Sequence, residues 1–303
     1  MATDGPLRGE EATVFEDLSA RTSFGLDDDT LRSVPTVFRD DLFAGQVVLV
    51  TGGGTGIGKA IAVLFARLGA GVMICGRREA PLQATLAQLR ALGAEADAQV
   101  ANIREPEQVQ ALIEHTWRRF GRLDTLINNA GGQFAQAALD LTPRGWQAVV
   151  DTNLNGTWYV TQAAARAWSE HGRPGNVVNI VLDNFRGMPS IAHSSAARAA
   201  VMNLARTLAV EWAPQRIRVN CVAPGAIESS GFAQYPPEQL NRFYNANPMR
   251  ALGDVHDVAQ ACAYLASAAA KFVTGETLVV DGGGRLWGET WLTPRPEHFK
   301  PIE

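Results

Sequence analysis

The clearest chemical signal in the chain is a glycine cluster, Thr51-Gly52-Gly53-Gly54-Thr55-Gly56-Ile57-Gly58, set between an apolar run (Gln46 to Val50) and a helical pattern (Lys59 to Leu68). Glycines at a strand-to-helix turn let the backbone approach a phosphate, and the free N–H groups and positive dipole end of the following helix hold its charge. Gly52, Gly54, Thr55, Gly56, Ile57 and Gly58 are therefore the predicted cradle. Glycines alone could make a plain turn, but this strand-and-helix context favours a nucleotide. A second signal ends the next apolar run, where the sequence reads Cys75-Gly76-Arg77-Arg78. A dinucleotide site that prefers NAD carries an acidic residue here for the ribose hydroxyls. Gly76 occupies that slot instead. A carboxylate would repel a 2′-phosphate, whereas Arg77, with Arg78 beside it, can form charge-assisted bonds to one. The predicted cofactor is NADP(H). The alternative is a solvated arginine pair, which gains nothing from the dipole at a helix start.

Both signals need a scaffold that repeats strand, turn and helix, and the remaining sequence supplies it. Apolar runs at Gly71–Cys75, Ala96–Val100, Leu126–Asn128, Asn176–Val181, Arg216–Cys221 and Glu276–Val280 alternate with helical patterns near Pro81–Leu92, Pro106–Phe120, Asn153–Trp168, Ala196–Trp212 and Val255–Ala266. Parallel strands require crossover connections, so the pattern predicts an α/β fold: a single Rossmann-type, doubly wound parallel sheet with helices on both faces. The expected organisation is an acidic N-terminal arm over 1–42, one nucleotide-binding domain over 43–285 and a C-terminal tail over 286–303. The arm carries ten acidic residues against four basic. Such a segment is expected to be poorly ordered or draped on the surface, and dispensable for folding.

Composition narrows the function. With 46% hydrophobic and 19% charged residues, the chain can bury a sizeable core. A formal charge of −4 leaves no basic field for nucleic acid or an anionic membrane. No run approaches the roughly 18 apolar residues of a membrane span. Cys75, Cys221 and Cys262 show no metal-ligand spacing, so reduced thiols and no metal site are expected. There is no basic-then-apolar leader, and Pro301-Ile302-Glu303 is unlike a peroxisomal tripeptide. Small-molecule chemistry in the cytoplasm is the expectation.

The spacing of Gly52, Gly56 and Gly58 is TGxxxGxG, which resembles the short-chain dehydrogenases/reductases. Asn128-Asn129-Ala130-Gly131 resembles the family's NNAG segment, Asn153 its helix asparagine, Pro224-Gly225 its turn beside the nicotinamide, and Asp281-Gly282-Gly283 its closing DGG. The resemblance implies further cofactor contacts from Asn129, Ala130, Gly131, Pro224, Gly225 and Ile227. It implies an adenine contact from Asn102, standing where the family usually has aspartate, with Ile103 beside it. It also implies a homo-oligomer, dimer or tetramer.

The same resemblance exposes a departure at the catalytic centre. Family members that reduce ketones carry a tyrosine four residues before a lysine, with a serine about a dozen residues upstream; here those positions are Ser194, Arg198 and Val181 or Leu182, and only Asn153 remains. A ketone's alkoxide must be protonated by a group tuned near the working pH. A serine hydroxyl is too weak an acid, and arginine keeps its proton while bonding the nicotinamide ribose. Hydride addition to Cβ of an α,β-unsaturated thioester instead places charge on the thioester oxygen, where donors suffice, and Cα is protonated afterwards. Ser194, Asn153 and Arg198 supply those donors. His193-Ser194-Ser195-Ala196-Ala197-Arg198, together with Asn102-Ile103-Arg104, Gly131-Gly132-Gln133-Phe134 and Glu211-Trp212, resembles the trans-2-enoyl-CoA and 2,4-dienoyl-CoA reductases. The implied function is NADPH-dependent reduction of enoyl or dienoyl acyl-CoA thioesters. The alternatives are a ketoreductase with an atypical acid and a non-catalytic NADP(H)-binding subunit.

Other residues have two readings each. Asp183 falls where mitochondrial-type dienoyl-CoA reductases carry a tyrosine donor, so it could act as an acid, orient water, or simply cap a loop. His193 could protonate Cα or pack beside the cofactor. Gln133 and Phe134 could touch the acyl chain or only pack. Ser229 to Asn247, with Phe232, Tyr235 and Phe243, is expected to form an apolar lid. Trp287 and Trp291 could close the pocket or lie at a subunit contact.

Overall fold

The computed structural model describes residues 16–286 and 296–301; Trp287 and Trp291 lie outside the described residues. The strands in chain order are β1 (Val47–Thr51), β2 (Gly71–Gly76), β3 (Ala96–Val100), β4 (Thr125–Asn128), β5 (Gly175–Ile180), β6 (Ile217–Pro224), β7 (Ile227–Glu228), β8 (Gly253–Asp254) and β9 (Thr277–Val280). Seven of them form one parallel sheet in the order β3-β2-β1-β4-β5-β6-β9, and β7 and β8 pair separately. The order reverses between β1 and β4, and the crevice at the carboxyl ends of strands on either side of such a switch is where open α/β sheets bind ligands.

The helices are α1 (Asp28–Ser33), α2 (Gly56–Arg67), α3 (Glu79–Ala91), α4 (Pro106–Phe120), α5 (Pro143–Val150), α6 (Thr157–Glu170), α7 (Ala192–Glu211), α8 (Pro237–Leu240) and α9 (Val255–Ala266). All five residues of β1 are buried, because helices cover both faces of the sheet. Val48 and Val50 pack with Ile61 and Phe65 of α2 and Val258 of α9. Leu49, pointing the other way, joins Leu112 of α4, Val160 of α6 and Val201 of α7. Among the described residues, no helix is long and apolar enough to cross a membrane.

Two features differ from the sequence expectation. The single helix expected over Asn153–Trp168 is preceded by α5 and interrupted by a π turn at Asp151–Gly156. From residue 16 the arm is draped over the body, but it is anchored there. Leu18 and Leu31 are buried, Arg67 donates to the carbonyls of Leu31 and Val34 at 3.1 and 2.8 Å, and the Pro35 carbonyl lies 3.2 Å from His256 Nε2. These contacts argue against a dispensable arm.

Candidate active site

A groove of about 300 Å³ opens at the carboxyl ends of β1, β2 and β4. Gly52, Gly54, Thr55, Gly56, Ile57 and Gly58 line its floor. Gly56 begins α2 at φ +53°, a left-handed conformation open to glycine, which aims the helix N-terminus into the groove. At Gly58 a Cβ would fall 2.3 Å from both Asn129 Nδ2 and the Gly52 carbonyl, so only glycine lets loop and helix close up. Asn129 holds this packing by donating to the carbonyls of Thr51 and Gly52 at 3.0 and 3.3 Å. Thr51 Oγ1 accepts from the amides of Asn129 and Ala130, both at 3.0 Å. A cradle of backbone amides at a helix start suits a pyrophosphate.

The far end of the groove is lined by Arg77, Arg78, Asn102 and Ile103. Both arginines are exposed, with no ion pair among the described residues. A Cβ at Gly76 would meet nothing nearer than Leu82 Cδ2 at 3.6 Å, ordinary contact, so packing does not require glycine there. Asn102 Nδ2 donates to Glu105 at 3.3 Å, which fixes the amide at the groove wall. Ala130 and Gly131 line the other end, with Thr152 and the Ser229-Ser230-Gly231 segment beyond. Pro224, Gly225 and Ile227 do not line the groove. Gly225 packs against Asp281, where a Cβ would fall 2.7 Å from the Asp281 Cα, and the Ile227 side chain is buried in the core.

Asn153, Ser194 and Arg198 come together at the Gly131 end. The π turn carries Asn153, which accepts from the Gly132 amide at 3.0 Å and donates to the Gly132 carbonyl at 2.9 Å and to Ser194 Oγ at 3.3 Å. Ser194, in the first turn of α7, donates to Gln133 Oε1 at 2.9 Å. Arg198 lies one turn further on, donates to the Ile180 carbonyl, and packs so closely on Gly131 that a Cβ there would overlap its guanidinium. Burial pushes the Arg198 pKa down to about 10, which leaves it charged at neutral pH. His193 is fully buried; its Nδ1 accepts from the Ser194 amide at 2.8 Å and its ring meets Phe134 edge-on at 4.5 Å, the packed alternative.

Asp183 follows β5, and its amide donates to the Pro224 carbonyl at 3.2 Å. Its carboxyl shares a hydrogen bond with Asp281, and Oδ1 is buried without a partner. Burial first, and the neighbouring Asp281 charge second, hold the Asp183 carboxyl above the usual carboxylate range. The backbone amides of Gly283 and Arg285 donate to Asp281 at 2.8 and 2.7 Å.

The sequence pointed to the groove and to the grouping of Asn153, Ser194 and Arg198, but not to the Asp281 partner or Thr152, and it placed Ser229-Ser230-Gly231 in the lid and not on the nucleotide groove. The small polar triplet following the PG turn was the available signal for the last. The lid's aromatic residues do cluster: Phe232 stacks on Phe243 at 4.9 Å, and Tyr235 meets Phe243 edge-on at 5.1 Å.

The fold and groove define a Rossmann-type dinucleotide-binding protein. The family model described as enoyl-(acyl carrier protein) reductase matches residues 52–284. The chain belongs to the short-chain dehydrogenase/reductase family. It is 38% identical to a probable 2,4-dienoyl-CoA reductase of Bacillus subtilis, covering 83% of this chain and 98% of that one. It is 37% identical to a peroxisomal 2,4-dienoyl-CoA reductase of Arabidopsis thaliana, over 86% and 89% of the two chains. A glucose 1-dehydrogenase of Gluconobacter oxydans is also 36% identical, over 82% and 95%. Among solved structures, a citronellol catabolism dehydrogenase of Pseudomonas aeruginosa superposes with TM-score 0.74 at 35% identity, over 82% and 99% of the chains. A variant actinorhodin polyketide ketoreductase with NADPH superposes with TM-score 0.75 at 32% identity, over 80% and 98%.

Proposed function

We propose that the protein is an NADPH-dependent reductase of α,β-unsaturated acyl-CoA thioesters. The carrying observation is the buried group of Asn153, Ser194 and Arg198, which offers two neutral donors and a fixed cation but no tyrosine-lysine acid. Bound NADPH supplies a hydride. Arg77 pairs with the 2′-phosphate, and the amides around Gly56 and Gly58 hold the pyrophosphate. Ser194 donates to the thioester oxygen as negative charge gathers there, Asn153 backs the Ser194 oxygen with an N–H, and Arg198 adds a field that needs no reorganisation at the moment of reaction. Asp183, whose pKa is raised by burial and by the neighbouring Asp281 charge, delivers the proton to Cα directly or through water. Names among the relatives support the thioester class, since two of them are dienoyl-CoA reductases.

The test measures NADPH and NADH oxidation with crotonyl-CoA, a longer enoyl-CoA, a dienoyl-CoA and a β-ketoacyl-CoA in parallel. Turnover of an unsaturated thioester with NADPH preferred is the expected result. Turnover of the β-ketoacyl thioester alone would overturn the proposal.

A further inference from the structure

We propose that Gln133 is a positioning residue that couples the Ser194 hydroxyl to the lid, so that turning over its carboxamide decides whether the Ser194 proton is free for substrate. Only the kinetic part rests on the thioester reading above.

Gln133 is bonded at both ends of its amide. Oε1 accepts from Ser194 Oγ at 2.9 Å, and Nε2 donates to Tyr235 Oη at 3.3 Å. Ser194 has one hydroxyl proton, and in this arrangement Gln133 holds it. The other side of the Ser194 oxygen accepts from Asn153 Nδ2. As found, then, Ser194 has no proton left for a thioester oxygen.

A carboxamide presents a donor and an acceptor at nearly interchangeable positions. After a half-turn about its terminal bond, Nε2 donates to Ser194 Oγ and Oε1 accepts from the Tyr235 hydroxyl. Both contacts survive the half-turn, but the Ser194 proton is released toward substrate. Asn153 and Gln133 then both donate to the Ser194 oxygen, which polarises its O–H further. The exchange works only if Tyr235 can reverse from acceptor to donor, as a phenol can.

Tyr235 is not a loose partner. Its ring packs edge-on against Phe243 at 5.1 Å and Phe232 at 6.3 Å, and Phe24 of the arm lies 5.9 Å from Phe232. Just before the lid, Glu228 is gripped by Arg21 at 2.8 and 3.1 Å and by the Gly25 amide at 2.9 Å. The position of the lid is thereby set by the arm and transmitted to Ser194 through one amide.

Three variants separate the roles, read by amide hydrogen exchange of residues 229–247 and by steady-state kinetics on whichever thioester the parallel assay shows to be turned over. Gln133→Leu removes both bonds, and Tyr235→Phe removes the lid bond. Each should lower lid protection by about fivefold, the worth of one net hydrogen bond, and the double variant should lower it no further. Gln133→Glu keeps acceptors for both hydroxyls but cannot donate to Ser194. It should leave lid protection unchanged, cut kcat by about tenfold or more and leave NADPH affinity as it was. Unchanged lid exchange in Gln133→Leu, additive losses in the double variant, or wild-type kcat in Gln133→Glu would each overturn the proposal. If no thioester is turned over, the function proposed above fails, while the exchange results still decide whether Gln133 tethers the lid.

Discussion

Replacing Ser194 with alanine removes one donor from the thioester oxygen and little else. Ser194 is 1% exposed, so water cannot take the place of its hydroxyl without rearrangement. Loss of one oxyanion donor costs about 10²- to 10³-fold in kcat. Asn153 stays in place, held by both polar groups of Gly132, and the N–H it gave to Ser194 Oγ is freed to act as a substitute donor. The expected loss is therefore at the lower end, about 10²-fold, or ~2.7 kcal/mol of transition-state stabilisation. The fold should hardly notice. Gln133 is half-buried, so its vacated Oε1 can bond water, and the net cost of about 1 kcal/mol corresponds to a Tm lower by roughly 2–4 °C. Ser194 does not line the nucleotide groove, so NADPH affinity should stay within about twofold. The assay is kcat and KM on an enoyl-CoA beside a fluorescence titration of NADPH. Full turnover in Ser194→Ala would refute the assignment, and so would a loss of NADPH affinity matching the loss of rate.

Arg77→Ala should weaken NADPH by about 10- to 100-fold, the worth of a charge-assisted bond, and leave NADH unchanged; equal wild-type affinities for the two cofactors would reject the 2′-phosphate contact. Removing residues 1–40 takes away the buried Leu18 and Leu31 and the Arg21–Glu228 pair, a net loss on the order of 3–5 kcal/mol that should lower Tm by roughly 10 °C. A change of under about 3 °C would return the arm to the dispensable role its composition suggests. The Asp183 carboxyl lies above its usual range, so its acid form, and turnover that uses it, is lost as pH rises through that raised pKa. Asp281→Asn removes the repelling charge and should move this alkaline limb of kcat to lower pH; a limb that stays put would exclude Asp183 as the proton source.

Where local signals and global fold agree, the sequence is legible to the residue. Pro106 in the first turn and Gly121 at φ +70° bound α4, and Asp254 with Asp257 forms the capping box that starts α9. The break between α5 and α6 is hidden because a π turn leaves the composition helical and shifts only the register. That turn nonetheless presents Asn153 to Gly132 and Ser194. The Asp183–Asp281 pair is hidden for another reason: each carboxylate has a local explanation, as a loop cap or part of a glycine turn. Only the adjacency of the loops after β5 and β9 makes them neighbours. The arm misleads because net acidity describes its average, whereas its anchoring depends on particular contacts: Leu18 and Leu31, Arg21 on Glu228, Asp28 on Lys59, and the carbonyls held by Arg67.

Arg198 gives the site its character. A lysine at this position could pass a proton along; a buried guanidinium fixed between the Ile180 carbonyl and Gly131 cannot do so near neutral pH, even with its pKa pushed down to about 10. Its charge is permanent, and so is the field it casts on Asn153 and Ser194. In the proposed reaction, stabilising an oxyanion and supplying a proton are divided between two places, the donor cluster on one side and the Asp183–Asp281 pair beside the Pro224 turn on the other. Ketone reduction needs both acts at the same oxygen. Conjugate reduction needs them at different atoms, charge at the thioester oxygen and a proton at Cα, and the division of labour among these side chains has that form.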